Sequence, residues 1–179
     1  LGAIIGFVAA LVTIFKKEWA PVSAPVYSVA QGLFLGGLSA SLERLYPGLV
    51  MQAVGLTFGT LFCLLGAYKA GFIRVTEKFR SGIIAATGGL LLFYLVSMVL
   101  GFFGIHLFSG SGPASIAFSV IVVGIAALNL VLDFDTVEQL SHSGLPKYME
   151  WYGAFSLMVT LIWLYMEILR LLVKLRQRD

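Results

Sequence analysis

Apolar residues fall in six long runs, at residues 1–15, 25–42, 48–68, 81–105, 114–132 and 149–173, and the polar residues collect between them. The runs cover 123 of the 179 residues yet hold only three of the 21 charged side chains, Glu150, Glu167 and Arg170. A helix needs about 20 apolar residues to cross a hydrocarbon core of about 30 Å. Five of the six runs are 18 to 25 residues long, well beyond the roughly 10 residues of a transmembrane β-strand. Backbone amides in lipid must be satisfied within the segment, which leaves helices as the economical solution. Nothing breaks the fifth run until Ser143-Gly144-Leu145-Pro146, so its helix is expected to run to about 141. The pattern predicts an all-α fold: a polytopic transmembrane helix bundle with helices at about 1–15, 25–42, 48–68, 81–105, 114–141 and 149–173, forming one domain over 1–179.

Composition sharpens this reading. At 59% hydrophobic and 12% charged, against about 25% charged in soluble domains, the chain is not an ordinary soluble enzyme. The net charge of +3 resides in short loops, where in a membrane protein it reports orientation and not nucleic-acid binding. If every run spans, one side receives Lys16, Lys17, Lys69, Arg74, Lys78, Arg80 and Lys147, and the other Arg44, Arg170, Lys174, Arg176 and Arg178. The larger basic count places the 69–80 loop in the cytoplasm. A last run that entered and returned on one side would make the bias far stronger, whereas its 25-residue length favours spanning, and the two readings stay open. The single cysteine, Cys63, permits no disulfide within the chain. The first run begins at Leu1 with no basic flank and no cleavage pattern, and reads as a truncated helix.

Within the runs, small residues recur every fourth position: Ser28, Gly32, Gly36 and Ala40, then Gly55, Gly59, Cys63 and Ala67. Each row forms a helix ridge suited to close packing against a neighbour. Charges at membrane depth cost about 2.5 to 3.5 kcal/mol each on insertion scales, so the few present are the candidates for chemistry. Asp133, Asp135 and Glu138 end the fifth helix; Asp135 and Glu138 share a face, while Asp133 and Asp135 point apart. Glu167 and Arg170 are spaced to pair along the last helix, and Thr160 lies on the Glu167 face two turns away. His106 and His142 fall in connections on opposite sides and cannot form a joint metal site. Gln31 and Asn129 suit interhelical hydrogen bonds, and Trp19, Trp151, Tyr148 and Tyr152 suit an interfacial aromatic belt. No phosphate loop, zinc spacing or nucleophile elbow occurs.

Phe134-Asp135-Thr136 at the end of a long penultimate helix, a short polar connection, and a final helix ending Glu167-Ile168-Leu169-Arg170-Leu171-Leu172 resemble the transmembrane Bax inhibitor motif family. Val26 to Gly36 is similar to that family's glycine-rich third helix. The resemblance implies seven helices, the last one central, of which this chain lacks the first and part of the second. It also implies a calcium leak or proton-sensitive cation pathway in a multi-pass integral membrane protein, here one of a bacterial inner membrane. The family's sensor is a pair of aspartates, one on each of the last two helices. Asp135 matches the first, but the second position, counted from Arg170, is Thr160, which cannot titrate. Asp133 or Glu167 could supply the missing acid, or pH sensing could be absent. A basic group that latches the sixth-helix acid matches Lys16 or Lys17.

Three functions follow as expectations. The first is a calcium or cation leak, or a pH-sensitive regulator of ion flux, using no cofactor beyond weakly bound calcium, which favours hard oxygen ligands. The second is a membrane scaffold that regulates a protease or channel by helix contact. The third, an intramembrane aspartyl protease, needs two aspartates sharing one proton and lacks the expected Gly-x-Gly-Asp pattern; the expectation is that the protein is not an enzyme. Expected partners are the lipid bilayer, calcium or protons, and a membrane protein.

Overall fold

The computed structural model describes residues 2–103 and 112–178. Six helices follow in order: α1 (Gly2–Phe15), α2 (Ala20–Leu45), α3 (Leu49–Lys69), α4 (Glu77–Phe102), α5 (Pro113–His142) and α6 (Tyr148–Arg178), with one 3-10 turn at Lys17–Trp19 between the first two. The described residues contain no strand. His106 lies outside the described residues.

Helix boundaries depart from the apolar runs where capping chemistry extends them. Pro21 and Pro25 suggest a loop up to residue 24, yet α2 begins at Ala20 with proline in its first turn, where the missing N–H has no intrahelical partner to lose. Thr76 caps α4 by accepting a hydrogen bond from the Phe79 amide at 3.2 Å, which starts that helix four residues ahead of its apolar run. The basic tail of α6 continues the helix to Arg178, because cations complement the partial negative charge at a helix C-terminus. Glu43 ends the α2 apolar run and receives the Gly48 and Val50 amides at 2.6 and 3.0 Å. These bonds fasten the start of α3 and hold the carboxyl below its usual range. Gly48, with φ 83°, occupies the left-handed region that this turn requires.

Helices α3 to α6 are each long and apolar enough to cross a membrane. At 26 residues α2 has the length, but Ser23, Ser28, Gln31, Ser39 and Ser41 make it less apolar. The last helix runs unbroken for 31 residues, about 46 Å at 1.5 Å per residue. Its end at Lys174 meets Ser119, near the start of α5. The helix therefore spans, and the re-entrant alternative falls away.

The bundle is organised around α6, which packs on α5, α3 and α2. Leu49 and Ala53 of α3, Ala126, Leu130 and Phe134 of α5, and Leu164, Ile168 and Leu169 of α6 make the main core. A smaller cluster joins Ala9 of α1, Ala24 and Tyr27 of α2, and Phe155 of α6, with the Tyr27 and Phe155 rings edge-on at 5.1 Å. Outside, the usual rule is inverted: Leu33, Phe62, Leu92 and Val99 are among many large apolar side chains that face outward. Such a surface is stable only against lipid or another apolar partner.

The rows of small residues do not pack as their spacing predicts. A Cβ placed on Gly32, Gly36, Gly55 or Gly59 would meet nothing within 4 Å, and Cys63 is exposed. The opposite face of α3, through Leu49, Ala53 and Thr57, is the one buried. Larger side chains gain more from burial than glycine does, and they decide which way α3 turns. Close approach occurs instead at Gly6, against Gln31, and at Gly153, against Val137 and Leu140.

Leu164 is fully buried between α5 and α6. Leu164→Ala should lower the stability of the solubilised protein by about 2 to 5 kcal/mol, whereas Leu92→Ala on the outer face should change it by less than about 0.5 kcal/mol. Thermal unfolding in detergent measures both, and equal effects would refute this placement of the core.

Candidate functional site

The acids at the end of α5 divide between two surroundings. Asp135 faces α3 and α4: Arg80 of α4 forms an ion pair with its Oδ2, and Gln139 Nε2 donates to the same oxygen at 2.7 Å. The Tyr68 hydroxyl of α3 lies 2.5 Å from Glu138 Oε2 and 3.3 Å from Asp135 Oδ1. Its one proton serves Glu138 at the shorter contact, and the phenol bridges two carboxylates that would otherwise repel. A cavity of about 700 Å³ opens beside this cluster, lined in part by Tyr68, Lys69, Arg74, Phe134, Glu138 and Ser141.

Asp133, two residues earlier, points the other way, into the α5–α6 seam. It is nine-tenths buried. Ser156 donates to its Oδ1 at 2.5 Å, and Thr160, one turn further along α6, lies near the same carboxyl. Among the described residues the second oxygen, Oδ2, has no hydrogen-bond partner. The acid that meets Thr160 is thus Asp133, and Asp135 does not reach that position. The reason is helical geometry, since residues two apart diverge by about 200° around the axis.

Glu167 joins neither group. It is buried and held at both oxygens by Arg170, at 3.0 and 3.1 Å, while the Tyr94 hydroxyl of α4 donates to Oε1 at 3.0 Å. Eleven residues separate it from Ser156, about 16 Å along α6. Beyond it, Lys174 donates to Ser119 Oγ at 2.8 Å. Between the two polar regions Ala126, Leu130 and Leu164 are completely buried and make a dry layer. Asn129 donates to Thr87 at 2.8 Å, tying α5 to α4 at this depth as an interhelical hydrogen bond.

Neither Lys16 nor Lys17 latches Asp135. Lys16 lies over the Trp19 ring at 5.6 Å and Lys17 over the Tyr152 ring at 5.0 Å, in the turn between α1 and α2. The cation on Asp135 comes from α4, the helix that packs directly on α5. Arg80, Tyr68, Tyr94, Ser156 and Lys174 were not singled out by sequence. Ser156 alone carried a local signal, four residues before Thr160 on one helix face. His142 closes α5 at its last turn, and no three His, Cys, Asp or Glu among the described residues converge to hold a metal ion.

A lipid-facing exterior, four membrane-length helices and charged groups paired inside the bundle define an integral, multi-pass helical membrane protein. A family model described as Bax inhibitor 1 like matches residues 1–177, and the chain belongs to that family. No curated protein and no solved structure matches it.

Removing the shared hydroxyl isolates its contribution. Tyr68→Phe should cost on the order of 1 kcal/mol, seen as a lower unfolding midpoint in detergent. An unchanged midpoint would mean that the phenol does not hold the two carboxylates together.

Proposed function

We propose that the protein is a cation leak pathway, calcium included, or a regulator of such flux, locked at one end by the Arg80–Asp135 ion pair. The observation that carries this reading is Asp133, a carboxyl nine-tenths buried in the α5–α6 seam, with one oxygen lacking a hydrogen-bond partner. An acid kept at membrane depth without a cation is costly, and ion or proton pathways are where such acids occur. Glu138, on another face of α5, lines the wide cavity at the same end of the bundle together with Lys69 and Arg74. A single deep carboxyl flanked by hydroxyls binds weakly, as conduction requires. The basic loop at 69–80 assigns this end to the cytoplasm, and a bacterial inner membrane is the setting we infer. Asp133 and Asp135 face different helices, and the leak reading uses no proton shared between them.

A second reading, a scaffold that acts by helix contact, draws on the outward rows Gly32, Gly36 and Ala40 on α2 and Gly55, Gly59 and Cys63 on α3. Open space beside these glycines admits a helix from another protein.

Calcium flux into liposomes between pH 6 and 8, for the parent protein, Arg80→Ala and Asp135→Asn, separates the two. The leak reading expects faster flux with Arg80→Ala and a flux that Asp135→Asn changes. Flux no greater than in empty vesicles at any pH, for all three proteins, overturns it. Unchanged flux in Asp135→Asn together with altered binding of a partner supports the scaffold.

A further inference from the structure

Thr160, Glu167 and Lys174 recur at seven-residue intervals on α6 and so share one face of that helix. Arg176 and Arg178, nearby in sequence, are exposed, as terminal cations on a membrane helix ordinarily are. Lys174 turns inward instead. Its ammonium donates to Ser119 Oγ at 2.8 Å and to the Ser115 carbonyl oxygen at 3.4 Å. Both serines are buried, at 2% and 3% exposure, and stand one turn apart on α5. Among the described residues Lys174 forms no ion pair: Glu167, the acid whose field it feels, is already engaged by Arg170 and Tyr94.

A positive charge drawn into a bundle onto neutral oxygens needs an explanation, since a lysine one turn before the end of a membrane helix can reach water. A hydroxyl and a carbonyl oxygen are the donor types that replace the hydration shell of a monovalent cation. Calcium takes six to eight oxygens, carboxylates among them. An ammonium group and a potassium ion are close in size and carry the same charge, so the two oxygens that hold one supply part of the shell of the other, with water completing it.

We propose that the Ser115–Ser119 seat is a monovalent-cation site at the end of the bundle opposite Asp135, occupied in this conformation by the ammonium of Lys174 as a tethered plug. This rests on the leak reading and adds its second closure: Arg80 neutralises the acid at one end, and Lys174 fills the oxygen seat at the other. A permeating potassium ion takes the seat only after the end of α6 withdraws its side chain.

Potassium efflux from loaded liposomes tests the plug. Lys174→Met keeps the length of the side chain and removes the charge, and should raise efflux roughly ten-fold, the equilibrium weight of one hydrogen bond to a charged group. Lys174→Arg, which retains a cation, should leak like the parent. Parent-level efflux from Lys174→Met, with Arg80→Ala still leaking faster, overturns the plug and spares the leak reading. Parent-level efflux from both variants overturns both. Occupancy is tested separately in detergent on Lys174→Met, whose cooperative melt shows that it is folded. Potassium chloride, but not choline chloride, should raise its melting midpoint, and adding Ser119→Ala should remove that rise. Absence of a potassium-specific rise overturns the site.

Discussion

Every charge that α5 and α6 carry to membrane depth must be answered by a polar partner, most often from a neighbouring helix, and this requirement sets the arrangement of the bundle. Hydrocarbon supplies no hydrogen bonds, so an unanswered ionised group there costs several kcal/mol. Asp135 is answered by Arg80 of α4 and Tyr68 of α3, and Glu167 by Arg170 on its own helix and Tyr94 of α4. The shared dependence on α4 matters because that helix packs chiefly on α5 and exposes most of its apolar surface. Arg80 near its start and Tyr94 further along clamp it to the acids of α5 and α6, while Thr87 meets Asn129 between them. Polar pairs thus fix the rotation and height of a helix that lipid-facing side chains leave unspecified.

Apolar packing fulfils the complementary role of dividing the polar interior in two. Ala126, Leu130 and Leu164 exclude all solvent across the gap between Thr160 and Glu167. Two turns of α6 separate those residues, about 10 Å, and no hydroxyl or carboxyl on that face bridges the layer. Continuity between the two polar regions therefore requires movement of α6 against α5. A Cβ on Gly153 would stand 3.3 and 3.4 Å from side-chain carbons of Val137 and Leu140, so α6 packs closely on α5 at one end of the seam. A larger residue there would wedge the helices apart.

The pattern of apolar runs was sufficient for the helices and for their alternating direction, because hydrophobic length is a local quantity, whereas the central place of α6 was implied only by the family resemblance. The position of Asp133 was half legible. Its divergence from Asp135 follows from helical periodicity, but which of the two meets Thr160 depends on the rotation of α5 in the bundle. The latch was carried over to Lys16 or Lys17 from the family resemblance, although α1 and its turn pack on α2 and α6 and not on the acidic end of α5. Arg80 was hidden as one of several basic residues in a loop. The small-residue rows failed for a different reason: a glycine ridge permits close approach without compelling it, and the larger side chains on the other face of α3 governed its packing.

Two ion pairs account for Asp135 and Glu167, and what they leave over is informative. Among the described residues Asp133 has hydroxyl neighbours but no ion pair, and Lys174 has oxygen neighbours but no ion pair. They face the same stripe of α6 from opposite ends, some fourteen residues or about 21 Å apart measured from Thr160, with the dry layer between. Direct pairing across that distance is impossible, and either charge could have been relieved by a single substitution to a neutral residue at no loss of packing. A structural role alone would favour such relief, because burying an unpaired charge weakens the fold. In the pathway proposed above, a deep carboxyl on α5 and an inward ammonium on α6 have separate roles: an acid to attract the cation and a tethered cation to hold its place.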